Sequence, residues 1–319
     1  MAAAYSLSTG ESAVLTHRVT ALSVATAGVL TALKAVVWVA SDSVSVLASL
    51  ADSALDLVAA LATFFAVRYA VAPPDAEHRF GHGKAEAFAS LVQAGLVFAS
   101  AALIGQEAIR HLIRPRPLDR EGWAIGVMVI STVLTAGLIA AQTQVLRKAQ
   151  SVAVTGDRAH YAADLASNLV ALAAIAAAGF LGLYWFDAVG GLAVAAVLLW
   201  GAVSVFRKAS GELMDRELPD DARARIVALM TEDPRCVDVH QLRTRASGPI
   251  VHIQMHADLD PELSLETAHQ VVVAAEKRVL QAFPSADIII HADPRGRAEP
   301  HGGAFPESDA PEPHAHASA

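Results

Sequence analysis

Charged residues and cysteines are both scarce in this chain of 319 residues, and each scarcity excludes a class of protein. Only 18% of the residues are charged, against about 25% in soluble domains, which disfavours a wholly soluble chain. The single cysteine, Cys236, excludes an intramolecular disulfide and a Cys-rich zinc motif. The net charge of −8 gives no support for nucleic-acid binding. We expect no cleavable signal peptide, since no basic segment precedes a short apolar core with a cleavage site.

Long apolar runs are what the chain has instead, and 54% of its residues are hydrophobic. A membrane-spanning helix needs about 20 mostly apolar residues, and six stretches reach that length. They lie at residues 15–40, 44–70, 86–110, 123–146, 160–182 and 186–206. Polar hinges are predicted between them at 41–43, 73–75, 114–117 and 155–157. The sequence therefore predicts a six-helix membrane domain over 15–208, preceded by a cytosolic tail at 1–14.

Basic residues near the ends of the spans predict the orientation in the membrane. With the N-terminus inside, nine of them lie at inner ends and four in one outer loop. The inner ones are Arg18, Arg68, Arg79, Lys84, Arg147, Lys148, Arg158, Arg207 and Lys208, and the outer ones are Arg110, Arg114, Arg116 and Arg120. This asymmetry favours a multi-pass protein of the inner (cytoplasmic) membrane with both termini in the cytoplasm.

Residues 209–293 have the pattern of a small cytosolic α/β domain with the order αββαβ. The predicted elements are a helix at 219–230, strands at 237–245 and 251–259, a helix at 264–282 and a strand at 287–292. In the second strand apolar residues from Val251 to Leu259 alternate with polar residues such as His252 and His256. The tail at 294–319 is rich in Pro, Gly and His and is predicted to be disordered.

Four ionisable residues lie inside the predicted second and fifth spans, where each costs roughly 2.5–3.5 kcal/mol on insertion scales. Asp52 and Asp56 are spaced i,i+4 in the second span, as are His160 and Asp164 in the fifth. Each pair therefore lies on one helix face. Two such faces meeting in a bundle offer three carboxylates and one imidazole, which suits tetrahedral zinc. We favour this metal site over residues that satisfy one another without a metal.

A second cluster of ligand-type residues lies in the loop after the second span. Asp75, His78 and His82 fall within ten residues, and Gly81 and Gly83 would let the backbone turn around an ion. A solvated polar loop without a metal is the alternative reading of the same composition.

The third cluster belongs to the soluble domain and is spread over several predicted elements. Its candidate ligands, which a sheet and a helix could gather into one or two zinc sites, are His240, His256, His269, His291 and Asp293. His252 shares a strand face with His256 and is a weaker candidate. The tail residues His301, His314 and His316 fit a solvated segment better than a site. Separately, Lys84 and Asp215 each lie where a span meets the cytosol and could pair there.

Five segments together resemble the cation diffusion facilitators, most closely the bacterial zinc and ferrous-iron efflux branch. They are Ala51–Asp56, Phe80–Glu86, His160–Asp164, Leu242–Pro249 and Ile288–Asp293. The likeness runs from about residue 15 to residue 293 and departs at no ligand position. It implies a homodimeric metal/proton antiporter with six spans and a cytosolic ferredoxin-like domain.

The resemblance also implies roles for the three clusters. The transport site would be Asp52, Asp56, His160 and Asp164, and the loop cluster would form a second site. The five candidates of the soluble domain would form a dinuclear site at the dimer interface, where zinc is a structural or regulatory ion. The Lys84–Asp215 pair would hold the dimer together near the membrane surface.

Two other functions remain open from the residues alone. A membrane metalloenzyme would need an open metal position and a general base, and no HExxH or nucleophile motif is present. A metal sensor or scaffold would bind the ion without transporting it. One histidine with three carboxylates suits Zn(II), but also Fe(II), Cd(II) or Mn(II).

Overall fold

Six long helices precede a small α/β unit in the computed structural model, which describes residues 7–41, 44–113, 122–181 and 185–296. The helices are α1 (Thr9–Ser41), α2 (Val44–Ala70), α3 (Ala85–Ile113), α4 (Gly122–Leu146), α5 (Val152–Leu181) and α6 (Trp185–Leu213). The predicted outer-loop arginines Arg114, Arg116 and Arg120, and the tail histidines, lie outside the described residues.

The six helices form the membrane domain. Five of them, α1 to α4 and α6, are long and apolar enough to cross a bilayer. Helix α5 has 30 residues but carries several charged side chains in its first half. Large apolar side chains point outward, including Trp200 and Val39 at 77% exposure and Ile113 at 71%. Such a surface fits a lipid environment and not water, so the predicted helical membrane domain is confirmed.

Helix α1 begins at Thr9, so residues 9–14 are helical rather than part of the predicted tail. The reason is a capping box, in which Ser8 and Glu11 satisfy each other's backbone amides. The Ser8 amide donates to Glu11 Oε2 at 3.0 Å, and the Glu11 amide donates to Ser8 Oγ at 3.3 Å. This motif stops the helix from fraying at its exposed end.

The hinge predicted at residues 155–157 is wrong, because helix α5 already begins at Val152. Ser151 caps this helix by accepting a hydrogen bond from the Val154 amide at 3.2 Å. Gly156 serves close packing and not a turn, since a Cβ atom there would lie 2.9 Å from Ser90 Oγ on α3. Asp157, assigned to the hinge by sequence, is therefore inside the bundle and 1% exposed.

Small residues allow the helices to approach closely, as the composition indicates. Helix α3 packs along α6, and both pack against α5. A Cβ atom on Gly190 of α6 would lie 2.6 Å from Val170 Cγ1 of α5, and one on Gly191 would lie 3.0 Å from the Ala108 Cβ of α3. These contacts hold α5 firmly against its neighbours.

The soluble domain has the predicted order αββαβ. Its elements are α7 (Asp220–Met230), β1 (Cys236–Ser247), β2 (Ile250–Leu259), α8 (Leu265–Ala282) and β3 (Ala286–Pro294). Strand β2 is central, antiparallel to β1 and parallel to β3. The predicted alternation in β2 is confirmed, since Val251, Ile253, Met255, Ala257 and Leu259 are all at most 3% exposed.

A tight junction joins the loop after α2 to the hairpin between β1 and β2. A Cβ atom on Gly83 would overlap the carbonyl oxygen of Ser247. Gly248 has φ 56°, a left-handed conformation that favours glycine, and a Cβ atom there would lie 2.8 Å from the Gly83 carbonyl oxygen. Two glycines therefore let the membrane domain and the soluble domain touch backbone to backbone.

Candidate metal centres

The transmembrane candidate lies where α2 faces α5. His160 Nε2 is 2.9 Å from Asp56 Oδ1 and 3.8 Å from Asp164 Oδ2. One ligand atom from each of these three residues lies within 4.8 Å of the other two. The His160 side chain is 7% exposed, and its Nδ1 atom has no hydrogen-bond partner among the described residues. The imidazole therefore presents Nε2 to the two carboxylates, which is the arrangement of a metal-binding pocket.

Asp52 does not join this group of three. It lies one turn before Asp56 on α2 and is exposed, whereas Ser53 beside it is buried. The i,i+4 spacing gives Asp52 the correct helix face but does not fix its distance from α5.

Lys34 of α1 lies close to the transmembrane cluster. Its ammonium group donates to Ser53 Oγ at 2.6 Å and to the Ser49 carbonyl at 3.2 Å. It also interacts electrostatically with Asp56, Asp164 and Asp52. A fixed positive charge therefore partly balances the carboxylates when no dication is bound.

The loop candidate is compact and lies at the surface. Asp75 Oδ1 is 3.2 Å from His78 Nδ1, and Asp75 Oδ2 is 3.2 Å from His82 Nε2. The rings of His78 and His82 have centroids 4.6 Å apart. A cavity of about 430 Å³ opens beside both histidines, so the loop has space for a hydrated ion. The three predicted loop residues are thus brought together.

Hydrogen bonds set the chemical state of the loop ligands. The His78 amide donates to Asp75 Oδ1 at 2.6 Å and, with the Glu77 amide and the His78 ring, lowers the pKa of Asp75 against the opposing effect of desolvation. Asp75 is therefore an ionised acceptor near neutral pH. His82 Nδ1 lies 3.5 Å from the Ala72 carbonyl and its Nε2 lies 3.2 Å from Asp75 Oδ2, so each ring nitrogen faces an oxygen atom.

Strand register gathers the cytosolic candidate. His240 of β1 is opposite His256 of β2, which is in turn opposite His291 of β3. Asp258 and Asp293 are opposite each other two residues farther along β2 and β3. Because alternate residues share a face, three imidazoles and two carboxylates meet on one side of the sheet.

Asp293 is the centre of this cytosolic group and is 5% exposed. Its Oδ2 atom is 2.7 Å from His256 Nδ1 and 3.6 Å from His240 Nε2. Its Oδ1 atom is 3.3 Å from His291 Nε2. A carboxylate between three imidazoles can bridge two ions, which is the requirement of the dinuclear site that the family resemblance implies.

A β-bulge positions the first ligand of this group. The register of β1 shifts between His240 and Arg243, and Gln241 has φ 50°. A left-handed conformation is strained for glutamine, and bulges commonly redirect a neighbouring side chain. We attribute the direction of His240 toward Asp293 to this bulge.

Two soluble-domain candidates, His269 and His252, lie apart from the cytosolic group. His269 is on the exposed side of α8, because Val271, Ala275 and Val279 face the sheet. His252 lies 3.1 Å from Asp287 and packs against the Phe80 ring, which explains its burial on a face expected to be polar. Burial raises the pKa of Cys236, so the only thiol of the chain is a poor metal ligand.

Sequence reasoning missed three residues at or near these centres. Lys34 is a lone basic residue within the predicted first span, and that position is a sufficient signal. Asp258 lies on the polar face of the second strand, like His256, and its Oδ1 atom lies 3.6 Å from His240 Nδ1. Asp157 was missed because residues 155–157 were predicted to be a hinge and not part of α5.

Residues 20–214 match the family model of the cation efflux transmembrane domain, and residues 218–295 match that of the cytoplasmic domain of cation efflux proteins. The chain is similar to the cation-efflux pump FieF of Klebsiella pneumoniae and to FieF of Salmonella choleraesuis. Each is 39% identical over 285 residues, which cover 88% of this chain and 93% of that protein. The match to a solved structure of CzrB in a zinc form has 32% sequence identity and a TM-score of 0.25. It covers 27% of this chain and 100% of the CzrB chain.

Proposed function

Because the chain belongs to the cation efflux family, the cation diffusion facilitators, we propose that it exports Zn(II) from the cytoplasm in exchange for protons. The family makes it a multi-pass membrane transporter of metal cations and not an enzyme. We propose three further points: which ion is transported, which ion moves in exchange, and the direction of transport relative to the two termini. We place both termini in the cytoplasm, with the protein in the inner membrane.

The observation that carries this proposal is the meeting of three ligand types inside the bundle. His160 Nε2, Asp56 and Asp164 converge across the α2–α5 contact. One nitrogen with carboxylate oxygens suits zinc, and also Fe(II), Cd(II) or Mn(II). We propose that Asp52 moves toward α5 as the fourth ligand when the ion binds.

Competition for the same atoms would couple the metal to protons. Metal ligands must be deprotonated, so a bound dication displaces protons from His160 and the carboxylates. Rocking of the helices would then open the site outward, where protons return and the ion leaves. In this scheme no separate gate for protons is required, because one site cannot hold both cargoes.

The other two centres have supporting roles in the proposal. The loop residues Asp75, His78 and His82 would hold an ion near the cytoplasmic surface. The cytosolic residues His240, His256, His291 and Asp293 would bind zinc at the interface of a homodimer, with His269 contributed there as the family resemblance implies. Zinc at that interface would shift the population toward transport-ready states.

Zinc-driven proton flux in liposomes tests the proposal. We expect flux in the unaltered protein, its loss in Asp56→Ala and His160→Ala, and a strong reduction in Asp52→Ala. Asp220→Ala is the matched control, because that carboxylate is fully exposed on α7. Full flux in both Asp56→Ala and His160→Ala would exclude this transport site. Zinc uptake that is the same with and without a pH gradient would exclude proton antiport, and the same assay with Fe, Mn, Cd and Co would give the selectivity.

A further inference from the structure

Helix α5 contains a buried carboxylate that the proposed metal site does not use. Asp157 is 1% exposed and lies three residues before His160, about 4.5 Å along the helix axis. Its Oδ2 atom accepts hydrogen bonds from Ser23 Oγ at 2.7 Å and from Gln142 Nε2 at 2.9 Å. Its Oδ1 atom lies 3.4 Å from Gln93 Nε2. This carboxylate is therefore enclosed by polar side chains in the interior of the bundle.

The polar network around Asp157 joins five helices. Gln93 of α3 also donates to Thr63 Oγ1 of α2 at 3.0 Å. Tyr161 of α5 donates to the Ser23 carbonyl of α1 at 3.2 Å. With Gln142 from α4, every helix from α1 to α5 contributes to this one point. Movements of these helices that change the metal site would therefore also change the surroundings of Asp157.

Ser23 gives Asp157 a hydrogen-bonded arrangement in both of its protonation states. When Asp157 is ionised, the Ser23 hydroxyl donates to the carboxylate. When Asp157 is protonated, its O–H donates to Ser23 Oγ, and the Ser23 hydroxyl turns to the Val19 carbonyl at 3.2 Å. Gln142 Nε2 is within reach of both acceptors, at 2.9 Å from Asp157 Oδ2 and 3.2 Å from Ser23 Oγ. Asp157 can therefore bind or release its proton without movement of heavy atoms.

The charge of Asp157 is governed by few neighbours. Its partners from the other helices are uncharged: Ser23, Gln93 and Gln142 contact it, and Thr63 contacts Gln93. The titratable groups that interact with it electrostatically are His160 and Tyr161 of its own helix. Within the described part of the chain, no Lys or Arg side chain pairs with it. A buried carboxylate without a cation is unfavourable when ionised, so its protonation follows the charge at His160.

We infer that Asp157 is a further proton-binding group of the transporter, outside the metal site and coupled to it. The carboxyl group holds a proton while the metal site is empty. A dication at His160, one turn away, favours the ionised form; the O–H bond then breaks, its electron pair stays on the carboxylate, and the proton passes to bulk water. This inference rests on the proposed antiport and adds about one proton per metal ion to it.

Proton release upon zinc binding to the full-length protein in detergent tests this inference. Zinc is titrated in buffers of different ionisation enthalpy, and the released protons are counted for the unaltered protein and for Asp157→Asn. We expect about one proton fewer per protomer in the variant. Infrared difference spectra should show a smaller zinc-induced loss of protonated-carboxyl absorption in Asp157→Asn than in the unaltered protein. An equal proton count in both proteins would overturn the inference.

Two controls separate this inference from the proposed function. In an Asp56→Ala background, adding Asp157→Asn should change nothing, because the transmembrane site no longer binds the ion. Thr20→Val is the matched control, since Thr20 is a fully buried polar residue of α1 whose hydrogen bonds among the described residues go to its own helix. If the unaltered protein transports zinc without proton exchange, the proposed antiport fails; if only the proton count of Asp157→Asn is unchanged, Asp157 alone is excluded.

A second variant keeps the test decisive if Asp157→Asn fails to fold. Ser23→Ala removes the hydroxyl that completes both hydrogen-bonding arrangements and keeps the carboxylate. We expect the same number of protons to be released, but at a higher pH, because the ionised form loses a charge-assisted hydrogen bond that is stronger than the neutral one lost by the protonated form. An unchanged pH profile in Ser23→Ala would overturn the role of this proton site.

Discussion

The ammonium group of Lys84, immediately before α3, lies 3.0 Å from the carboxylate of Asp215, just beyond the end of α6. Lys84 also donates to the Leu213 carbonyl at 3.2 Å, and Arg245 of β1 lies 3.2 Å from the other oxygen of Asp215. The ion pair expected from the sequence therefore exists within one chain. It connects the loop before α3 and the end of α6 with the sheet of the soluble domain.

Asp215→Asn should destabilise this junction in a pH-dependent manner. Burial alone would raise the pKa of Asp215, but the hydrogen bond from Lys84 and the charge of Arg245 outweigh it and hold the pKa below its usual value. A lowered folded pKa means that the ionised carboxylate stabilises the fold above the unfolded pKa of about 3.9, and that this contribution is lost on acidification. Because both side chains are over one-third exposed, we expect about 0.5 kcal/mol at pH 7.

Thermal unfolding of the full-length protein at low salt, between pH 7 and pH 3, measures this effect. Asparagine tolerates the φ of 57° at position 215, so the substitution removes charge without backbone strain. The difference in melting temperature between the unaltered protein and Asp215→Asn should shrink toward pH 3. A difference of the same size at pH 7 and at pH 3 would contradict the ion-pair account.

Gly83→Ala should separate the membrane domain from the soluble domain. The added Cβ atom would overlap the Ser247 backbone, which cannot move aside like a flexible side chain. We expect a loss of about 1–3 kcal/mol and faster hydrogen exchange at residues 245–250. Gly95→Ala on α3 is the matched control, because nothing lies within 4 Å of its added Cβ atom and alanine favours helices. Equal stability of the two variants would argue against a tight junction.

Lys34→Met should bind zinc more tightly at the transmembrane site and release it more slowly. Lys34 repels a dication held by Asp56 and Asp164, and at an effective dielectric constant of about 20 we expect roughly tenfold tighter binding. Calorimetry measures the affinity in proteins whose loop and cytosolic sites have been removed, and liposome assays measure turnover. Ser53→Ala is the control, since it removes the 2.6 Å hydrogen bond and retains the charge. Weaker zinc binding in Lys34→Met would indicate that Lys34 supports the site and does not oppose it.

Zinc should stabilise the soluble domain through Asp293 and His256, and His269 should contribute little within one chain. A ligand at 100 times its Kd stabilises the folded state by about 2.7 kcal/mol. Melting of the full-length protein, with Asp56→Ala and His82→Ala removing the other sites, should lose this shift in Asp293→Ala and His256→Ala. In the homodimer, His269→Ala should also reduce the shift, because His269 points away from its own sheet and we propose that it binds zinc at the interface. A full shift in His269→Ala would exclude His269 from the site.

The sequence by itself determined the membrane domain, the order of the soluble domain and most of the ligand types. Apolar length and the alternation in β2 are local properties, so they predict spans and strands directly. The i,i+4 spacing also placed His160 and Asp164 on one face of α5, as the structure confirms.

Tertiary structure alone decided which of those ligands meet. Asp52 and Asp56 share a helix face, yet only Asp56 approaches His160, because the distance depends on how α2 crosses α5. The rotation of α8 about its own axis turns His269 away from the sheet. Strand register, in contrast, brings His240, His256 and His291 together. Asp157 is inside the bundle because Gly156 packs closely against α3. These outcomes depend on contacts between residues far apart in the chain, and local spacing cannot encode such contacts.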